Sequence, residues 1–433
     1  MSDEARPAAP YRVLVFPGGT EIGLEIAQSL GFRKEVELFS AGADVSSHAP
    51  FAFRNHRTLP RVDEAGWLSA LQELAAEWSI THIFPAYDDV IVALARAADR
   101  LTAKVVTSPL VTCELTRSKR ATYERLADVV AVPRVFASPG DVPEFPAFVK
   151  PDRGQGSQQA QRVDDRRQLE VACEAIGEPL IMNYLPGEEF TVDCFSDRER
   201  GLLFCGPRRR VRTRAGISMN SVSVAMPELR ETAERIAARL PLYGAWFFQV
   251  KRDAAGTLTL LEVAPRIAGA SALNRVRGVD FAMLALYEAE RIPVEIMALE
   301  GELELDRALR NRYRHSLQFE TLYIDLDDTL IVRGEVNVRA AALLHQCHNR
   351  GVRVVLLTRH GEGREETLRR HRLGELFDEV VYVAKGTPKS AHVRAGAAVF
   401  VDDSFAERRD VREKLGIPTF DSAMLELLLD DRA

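Results

Sequence analysis

Short apolar runs alternate with helix-period segments at both ends of this 433-residue chain, and that alternation permits few architectures. Val13–Phe16, Glu35–Leu38, Thr81–Pro85 and Lys104–Thr107 read as strands. Between them the spacing predicts a helix ending near Leu30, a second over Trp67–Trp78 and a third over Val90–Leu101. Strand–helix alternation of this kind implies a parallel sheet covered on both faces. It runs to about Leu110, resumes at Gln318 and continues to the end of the chain. The middle reads differently. After a helix over Thr116–Leu126, strands follow one another with few helices: Phe145–Lys150, Leu180–Leu185, Glu189–Phe195, Leu202–Gly206, Ser221–Met226, Ala245–Arg252 and Leu258–Val263. We therefore expect a multidomain α/β and α+β protein, divided at 1–110, 111–315 and 316–433.

Composition narrows the function classes. With 57 basic against 63 acidic residues the net charge is −6, so nothing draws the chain generally to nucleic acid or anionic membrane. No apolar run approaches the roughly 20 residues needed to cross a bilayer, and the first residues lack the basic-then-apolar order of a signal peptide. The first ten residues read as disordered. The five cysteines are odd in number and never spaced as metal ligands. Membrane, secreted and structural-zinc readings are excluded on these grounds, and a reducing cytoplasm is expected.

The last third carries a constellation. Thr321-Leu-Tyr-Ile runs into Asp325, Asp327 and Asp328; Val354-Val-Leu-Leu runs into Thr358; Ala398-Val-Phe-Val runs into Asp402 and Asp403. A parallel sheet would gather these polar residues at its carboxyl edge, where such folds place ligands. Carboxylates crowded there need a compensating cation, and an oxygen-rich site suits Mg²⁺. The order of these motifs resembles the haloacid dehalogenase (HAD) superfamily of phosphotransferases over about residues 320–420. The resemblance implies Asp325 as the nucleophile that takes the phosphoryl group and Asp327 as the general acid–base. It implies Thr358 and a lysine, Lys389 or Lys385, as holders of phosphoryl oxygens, with Asp325, Asp327, Asp402 and Asp403 around Mg²⁺. Only a short flap (Ile331–Asn337) and one helix fit between Asp325 and Thr358, and no folded insertion follows Thr358, so this Rossmann-like domain is expected to lack a large cap. Ser404 and Glu407 read as a helix capping box.

The middle third carries another. Phe148-Val-Lys150 precedes the glycine-rich Asp152-Arg-Gly154-Gln-Gly156-Ser157, a lysine at a strand end before a loop able to wrap phosphates. Tyr184-Leu185-Pro-Gly leads to Glu188-Glu189; later come Gln249 and then Leu261-Glu262-Val-Ala264-Pro-Arg266. Gln249 and Glu262 would sit on neighbouring strands and aim oxygens at a common cation. This order resembles the ATP-grasp superfamily over about residues 11–291, with an N-terminal nucleotide-fold lobe preceding the grasp. The resemblance implies that Lys119 and Lys150 contact ATP phosphates under a loop formed by Gly154, Gly156 and Ser157. Met182, Tyr184 and Leu185 would edge the adenine, Glu189 would bind the ribose, and Gln249 and Glu262 would hold Mg²⁺. Arg266, with Arg208 and Arg210, would steady the transferred phosphate. Two departures stand out: Ala264 replaces a metal-ligating asparagine common in the family, and an acid common near the adenine is missing around Met182.

The remaining features have plain readings. Gly18-Gly-x-x-x-Gly23 is expected to permit close packing, Arg208–Arg214 to form a loop, Asp88 and Asp89 to face an acceptor site. His56 and His82 are expected as ordinary polar positions, Trp67 and Trp78 as helix core. Together these motifs predict a cytoplasmic enzyme with two activities, using ATP and Mg²⁺. One forms an amide from a small carboxylate and an amine through an acyl phosphate; the other removes phosphate from a phosphorylated substrate. The competing expectation is a phosphohydrolase whose grasp module is a degenerate ATP-sensing or scaffold domain. The oligomeric state, a homodimer included, stays open.

Overall fold

The computed structural model describes residues 11–154, 156, 158–361 and 363–432. Ser157, expected in the phosphate loop, lies outside the described residues, as do the first ten. The chain forms two compact units, one through Arg310 and a second over Asn311–Asp431.

The first unit opens with a five-stranded parallel sheet of β1 (Tyr11–Phe16), β2 (Val36–Gly42), β3 (Asn55–Thr58), β4 (His82–Pro85) and β5 (Lys104–Val105), in the order β3-β2-β1-β4-β5. Period-two alternation along β1 sends Val13 and Val15 to one face and Leu14 and Phe16 to the other. The first pair packs with Ile22, Ile26 and Leu30 of α1 (Glu21–Leu30). The second packs with Leu71 and Leu74, and with Val90 and Leu94. These come from α3 (Trp67–Glu77) and α4 (Asp88–Ala97). The sequence pattern missed β3 and the one-turn α2 (Ala49–Ala52), because the residues of β3 are mostly exposed and polar. Gly18 and Gly23 do pack closely: a Cβ on Gly23 would stand 2.6 Å from the Gly18 carbonyl oxygen.

The expected helix over Thr116–Leu126 is two helices, α5 (Leu110–Arg117) and α6 (Lys119–Leu126). Ser118 breaks them: its extended backbone ends one, and its hydroxyl accepts from Ala121 N to cap the next. A small antiparallel sheet follows, β6 (Val135–Phe136), β7 (Ala147–Pro151), β8 (Gln161–Val163) and β9 (Pro179–Asn183), in the order β6-β9-β7-β8. Leu169 and Ala172 of α7 (Arg166–Ala175) cover one face, beside Val149 and Ile181.

The large sheet has the order β14-β13-β10-β11-β12-β15, built from β10 (Glu189–Asp197), β11 (Gly201–Arg214), β12 (Ile217–Ser223), β13 (Gly244–Arg252), β14 (Leu258–Ala264) and β15 (Glu304–Asp306). Phe190, Val192, Cys194, Trp246, Phe248 and Val250 face Leu229, Ala233 and Ile236 of α8 (Pro227–Arg239). The alternate residues, Glu189, Thr191, Asp193 and Gln249, occupy the other face. The arginine run expected as a loop is the second half of β11. Its even positions face partners on the same sheet, Arg208 to Asp193 and Arg210 to Glu189. Arg209, on the opposite face, reaches Glu188. Charge on both faces hid the strand period from the sequence. A short helix, α9 (Ala272–Arg275), precedes α10 (Phe281–Ala289), whose Ala282, Ala285 and Leu286 return to the core under β1 and α1.

The second unit holds a five-stranded sheet, all parallel, in the order β20-β19-β16-β21-β22. Its strands are β16 (Thr321–Ile324), β19 (Arg353–Thr358), β20 (Glu379–Tyr382), β21 (Ala398–Val401) and β22 (Thr419–Phe420). After β16 comes the hairpin β17 (Ile331–Val332) and β18 (Glu335–Val336), then α11 (Val338–Asn349), the expected flap and helix. Between β19 and β20 the described residues form one α-helix, α12 (Arg364–Arg370), and α13 (Phe405–Leu415) follows β21. Ser404 accepts from Glu407 N and caps α13. Among the described residues no helix is long and apolar enough to cross a membrane.

Candidate active sites

In the first unit, a cleft lies between the small and large sheets. Phe148, Lys150 and Met182 line it from the small sheet, and Glu189, Arg210, Gln249, Lys251 and Glu262 from the large one. Lys119, Tyr184, Leu185, Gly154 and Gly156 also line it. Strand pairing accounts for the convergence. Lys150 is opposite Leu180 and Phe148 opposite Met182; Thr191 is opposite Gln249, and Gln249 opposite Glu262.

Lys119 arrives by a different device. The Asp152 carboxylate accepts from Ser118 Oγ and Arg120 N, both at 2.7 Å, pinning the start of α6 to the chain leaving β7. Lys119 Nζ then reaches the carbonyl oxygens of Gly154 (2.9 Å) and Asp152 (3.2 Å) at the mouth of the glycine loop. One turn further along α6, Tyr123 accepts from Lys150 Nζ at 3.0 Å and donates to Leu261 O at 2.7 Å. In the sequence Tyr123 carries one signal of this role, its spacing of one helical turn from Lys119. Burial, with Lys119 nearby, pushes the Lys150 ammonium down to about 7. Burial also holds Lys119 below its ordinary value.

The arginines divide. Arg210 Nη1 reaches Glu189 and lies 3.0 Å from Gln249 Oε1, so it joins two expected nucleotide and metal groups in the cleft. Arg208 is instead buried against Asp193, with Nε 2.8 Å from Oδ2, and Asn274 donates to the same carboxylate oxygen at 2.9 Å. It holds the sheet face together and does not line the cleft, contrary to expectation. Arg266 Nε meets Asp88 at 2.5 Å and its guanidinium lies over the Phe247 ring. Asp88, Lys119, Glu262, Ala264 and Arg266 share the wall of a smaller adjoining pocket. Asp89 pairs with Arg117.

A family model described as ATP-grasp in the biosynthetic pathway with Ter operon matches residues 175–304, which span most of the large sheet. Solved structures match about two thirds of the chain. N5-carboxyaminoimidazole synthetase from Staphylococcus aureus, complexed with ADP, aligns with a TM-score of 0.58 at 14% identity, covering 71% of this chain and 85% of its own. The first unit has an ATP-grasp fold. L-amino acid ligase from Bacillus licheniformis (TM-score 0.55, 19% identity, 66% of this chain and 76% of its own) shares it. So does the biotin carboxylase domain of Hydrogenobacter thermophilus 2-oxoglutarate carboxylase, solved with MgADP, ADP and bicarbonate (0.57, 16%, 68% and 73%). No curated protein matches the chain by sequence. In the ATP-grasp cleft Ala264 leaves Gln249 and Glu262 as the oxygen donors that face each other across β13 and β14. These are hard ligands of the kind Mg²⁺ takes, fewer than the family pattern offers.

The second unit gathers its polar strand ends at the carboxyl edge of the sheet. Lys389 Nζ stands 2.7 Å from Asp325 Oδ1 and 2.6 Å from Asp402 Oδ2, all three side chains being almost fully buried. Burial, opposed by Lys389 and reinforced by Asp402, pushes Asp325 up to about 7. Asp402 moves up as well, again chiefly through burial. Burial alone would lower Lys389, but its two carboxylate neighbours hold it above the ordinary value. One oxygen each from Asp325, Asp402 and Asp403 can lie within 4.8 Å of the others, the only such cluster among the described residues. Three carboxylates around one point fit Mg²⁺. Lys385 is exposed, and of the two lysines it is Lys389 that lies against the buried carboxylates.

Thr358 is fully buried, its hydroxyl accepting from His360 N at 3.0 Å. Asp327 departs from expectation: its carboxylate is half exposed, stands outside the three-carboxylate cluster, and faces His360. His360 went unnoticed in sequence because a lone histidine after a strand carries no pattern.

Proposed function

We propose that the chain is a bifunctional enzyme, an ATP-dependent carboxylate–amine ligase joined to a Mg²⁺-dependent HAD-type phosphatase. The convergence of Lys119, Lys150, Glu189, Gln249 and Glu262 from two sheets and a helix on one cleft carries the first half. Lys119 and Lys150 would neutralise ATP phosphates and Glu189 would take the ribose hydroxyls. The γ-phosphoryl group would pass to a carboxylate oxygen, releasing ADP; an amine would then displace phosphate from the acyl phosphate to leave an amide. Arg266, in the adjoining pocket with Lys119, would hold the acyl phosphate oxygens.

The Asp325–Lys389–Asp402 arrangement carries the second half. Asp325 would attack the phosphorus of a monoester, the bond to the ester oxygen would break, and Asp327 would protonate the departing alcohol. Water would then release phosphate from the aspartyl phosphate, its proton returning to Asp327. Mg²⁺ bound by Gln249 and Glu262 in the first unit, and by Asp325, Asp402 and Asp403 in the second, supplies charge neutralisation for the phosphoryl oxygens.

A second reading has its own support. Ala264 removes a ligand from the cleft, while the three-carboxylate cluster lies in the second unit, which favours a phosphohydrolase whose ATP-grasp fold senses ATP. An ATP-turnover screen over carboxylate–amine pairs separates the two, with ADP and phosphate measured independently for wild type, Lys150→Ala and Asp325→Asn. Ligase action requires ADP release that depends on both added substrates and disappears in Lys150→Ala. Phosphate release from monoesters, lost only in Asp325→Asn, with no substrate-dependent ADP, supports the sensing reading.

A further inference from the structure

The phosphotransfer reading of the second unit leaves a demand on Asp327. A carboxylate that is 54% exposed is free to take more than one rotamer, yet as a general acid it must meet one leaving oxygen within hydrogen-bond reach. The structure supplies a holder. His360 Nδ1 lies 3.1 Å from Asp327 Oδ1 and 3.2 Å from Oδ2. The other ring nitrogen, Nε2, is 3.3 Å from Thr367 Oγ1 on α12. Both ends of the imidazole are thus occupied, and the ring bridges the carboxylate to a helix.

The ring is itself placed by the rest of the edge. His360 N donates to the buried Thr358 Oγ1, and Val383 N donates to Thr358 O at 2.8 Å, so the residues leaving β19 are tied to the end of β20. Arg359, between them, donates to Ala384 O (2.9 Å), Thr387 O (2.8 Å) and Glu407 Oε1 (2.6 Å). With its neighbour committed to the sheet edge, His360 is presented outward over Asp327. An exposed pair of this kind adds little to folding. Its fixed geometry therefore serves orientation.

We propose that His360 is a positioning residue for the phosphatase reaction: it donates from Nδ1 to Asp327, Thr367 fixes its far nitrogen, and together they hold the acid toward the leaving oxygen. This inference rests on the HAD-type reading of the site. It assigns to the end of β19, beyond Thr358, a second duty in the same reaction. The alcohol's need for a proton then sets how much His360 matters.

The leaving group provides the test. The whole 433-residue chain with Mg²⁺ is assayed on p-nitrophenyl phosphate, whose phenolate leaves without protonation, and on glycerol phosphate, whose alkoxide does not. Wild type, Asp325→Asn, Asp327→Asn, His360→Ala and His360→Asn are compared, the last retaining a side-chain N–H donor. General acid assistance contributes on the order of 10²–10⁴-fold, and loss of its positioning should remove roughly tenfold or more of kcat on the alkyl ester. We expect that loss in His360→Ala with KM nearly unchanged, a much smaller loss on the aryl ester, the same ester dependence in Asp327→Asn, and recovery in His360→Asn. Equal losses on both esters, or a change confined to KM, overturn the positioning role while leaving the phosphatase reading intact. Wild type that releases no phosphate from either ester, indistinguishable from Asp325→Asn, overturns both.

Discussion

Arg266 and Asp88 stand 178 residues apart in the chain and meet with Nε 2.5 Å from Oδ1. One follows the last long strand of the large sheet and the other opens α4 of the N-terminal lobe. Both side chains are largely buried. Burial works against the Asp88 carboxylate, but the Arg266 guanidinium outweighs it and holds Asp88 below its ordinary 3.8.

A carboxylate held low stabilises the fold above its unfolded pKa and loses that contribution as pH falls through the lower folded value. Asp88→Asn should therefore cost about 3 kcal/mol at neutral pH, the cost of stranding a buried cation. Wild type should lose this advantage below about pH 4, where the two proteins converge. Urea midpoints across the acid range check both the size and the direction.

Nucleotide affinity should depend on pH through Lys150. Its ammonium, lowered to about 7 by burial, is charged below that pH and neutral above it in the free protein. ADP binding should weaken as pH rises above about 7, with proton uptake on binding. Calorimetry in buffers of different ionisation enthalpy would detect the uptake, which should vanish in Lys150→Met.

At the second site, Lys389 separates two buried carboxylates. Asp325 is raised to about 7 and Asp402 is raised as well, so above their ordinary value the folded protein binds more protons than the unfolded chain, for Asp325 up to about pH 7. Their ionisation consequently costs stability as pH rises through that window. Lys389→Met should enlarge the cost, by roughly 3–5 kcal/mol at pH 8 and far less at pH 4. Added Mg²⁺ should restore part of the lost melting temperature at pH 8 and release protons near pH 7 from wild type. Thermal unfolding with and without Mg²⁺ measures this.

The two arginines of β11 should part company. Arg208→Ala leaves Asp193 buried without its cation and should lower stability by about 3 kcal/mol or more. Arg210→Ala frees Glu189 and Gln249 at the cleft and should change ADP affinity with a smaller effect on melting. Parallel melting curves and ADP titrations of the two variants distinguish a structural arginine from a cleft arginine.

Period and punctuation in the sequence carried the parallel sheets, the strand-rich middle and the carboxylates at the ends of β16 and β21, because hydrophobic burial imposes those patterns locally. They also named Lys150, Glu189, Gln249 and Glu262, which three-dimensional pairing sets around one cleft. Other facts had no local signature. That residues 207–214 form a strand follows from acidic partners on a neighbouring strand and a preceding loop, so both faces could be charged. The break at Ser118 follows from Asp152, which waits 34 residues later to hold the new helix start. Arg208 and Arg210 look alike in sequence and differ only in which carboxylate lies across the sheet. His360 acquires a role only when the ends of β16 and β19 lie side by side. Burial period is written residue by residue along the chain, whereas the partner of a charge is chosen by folding.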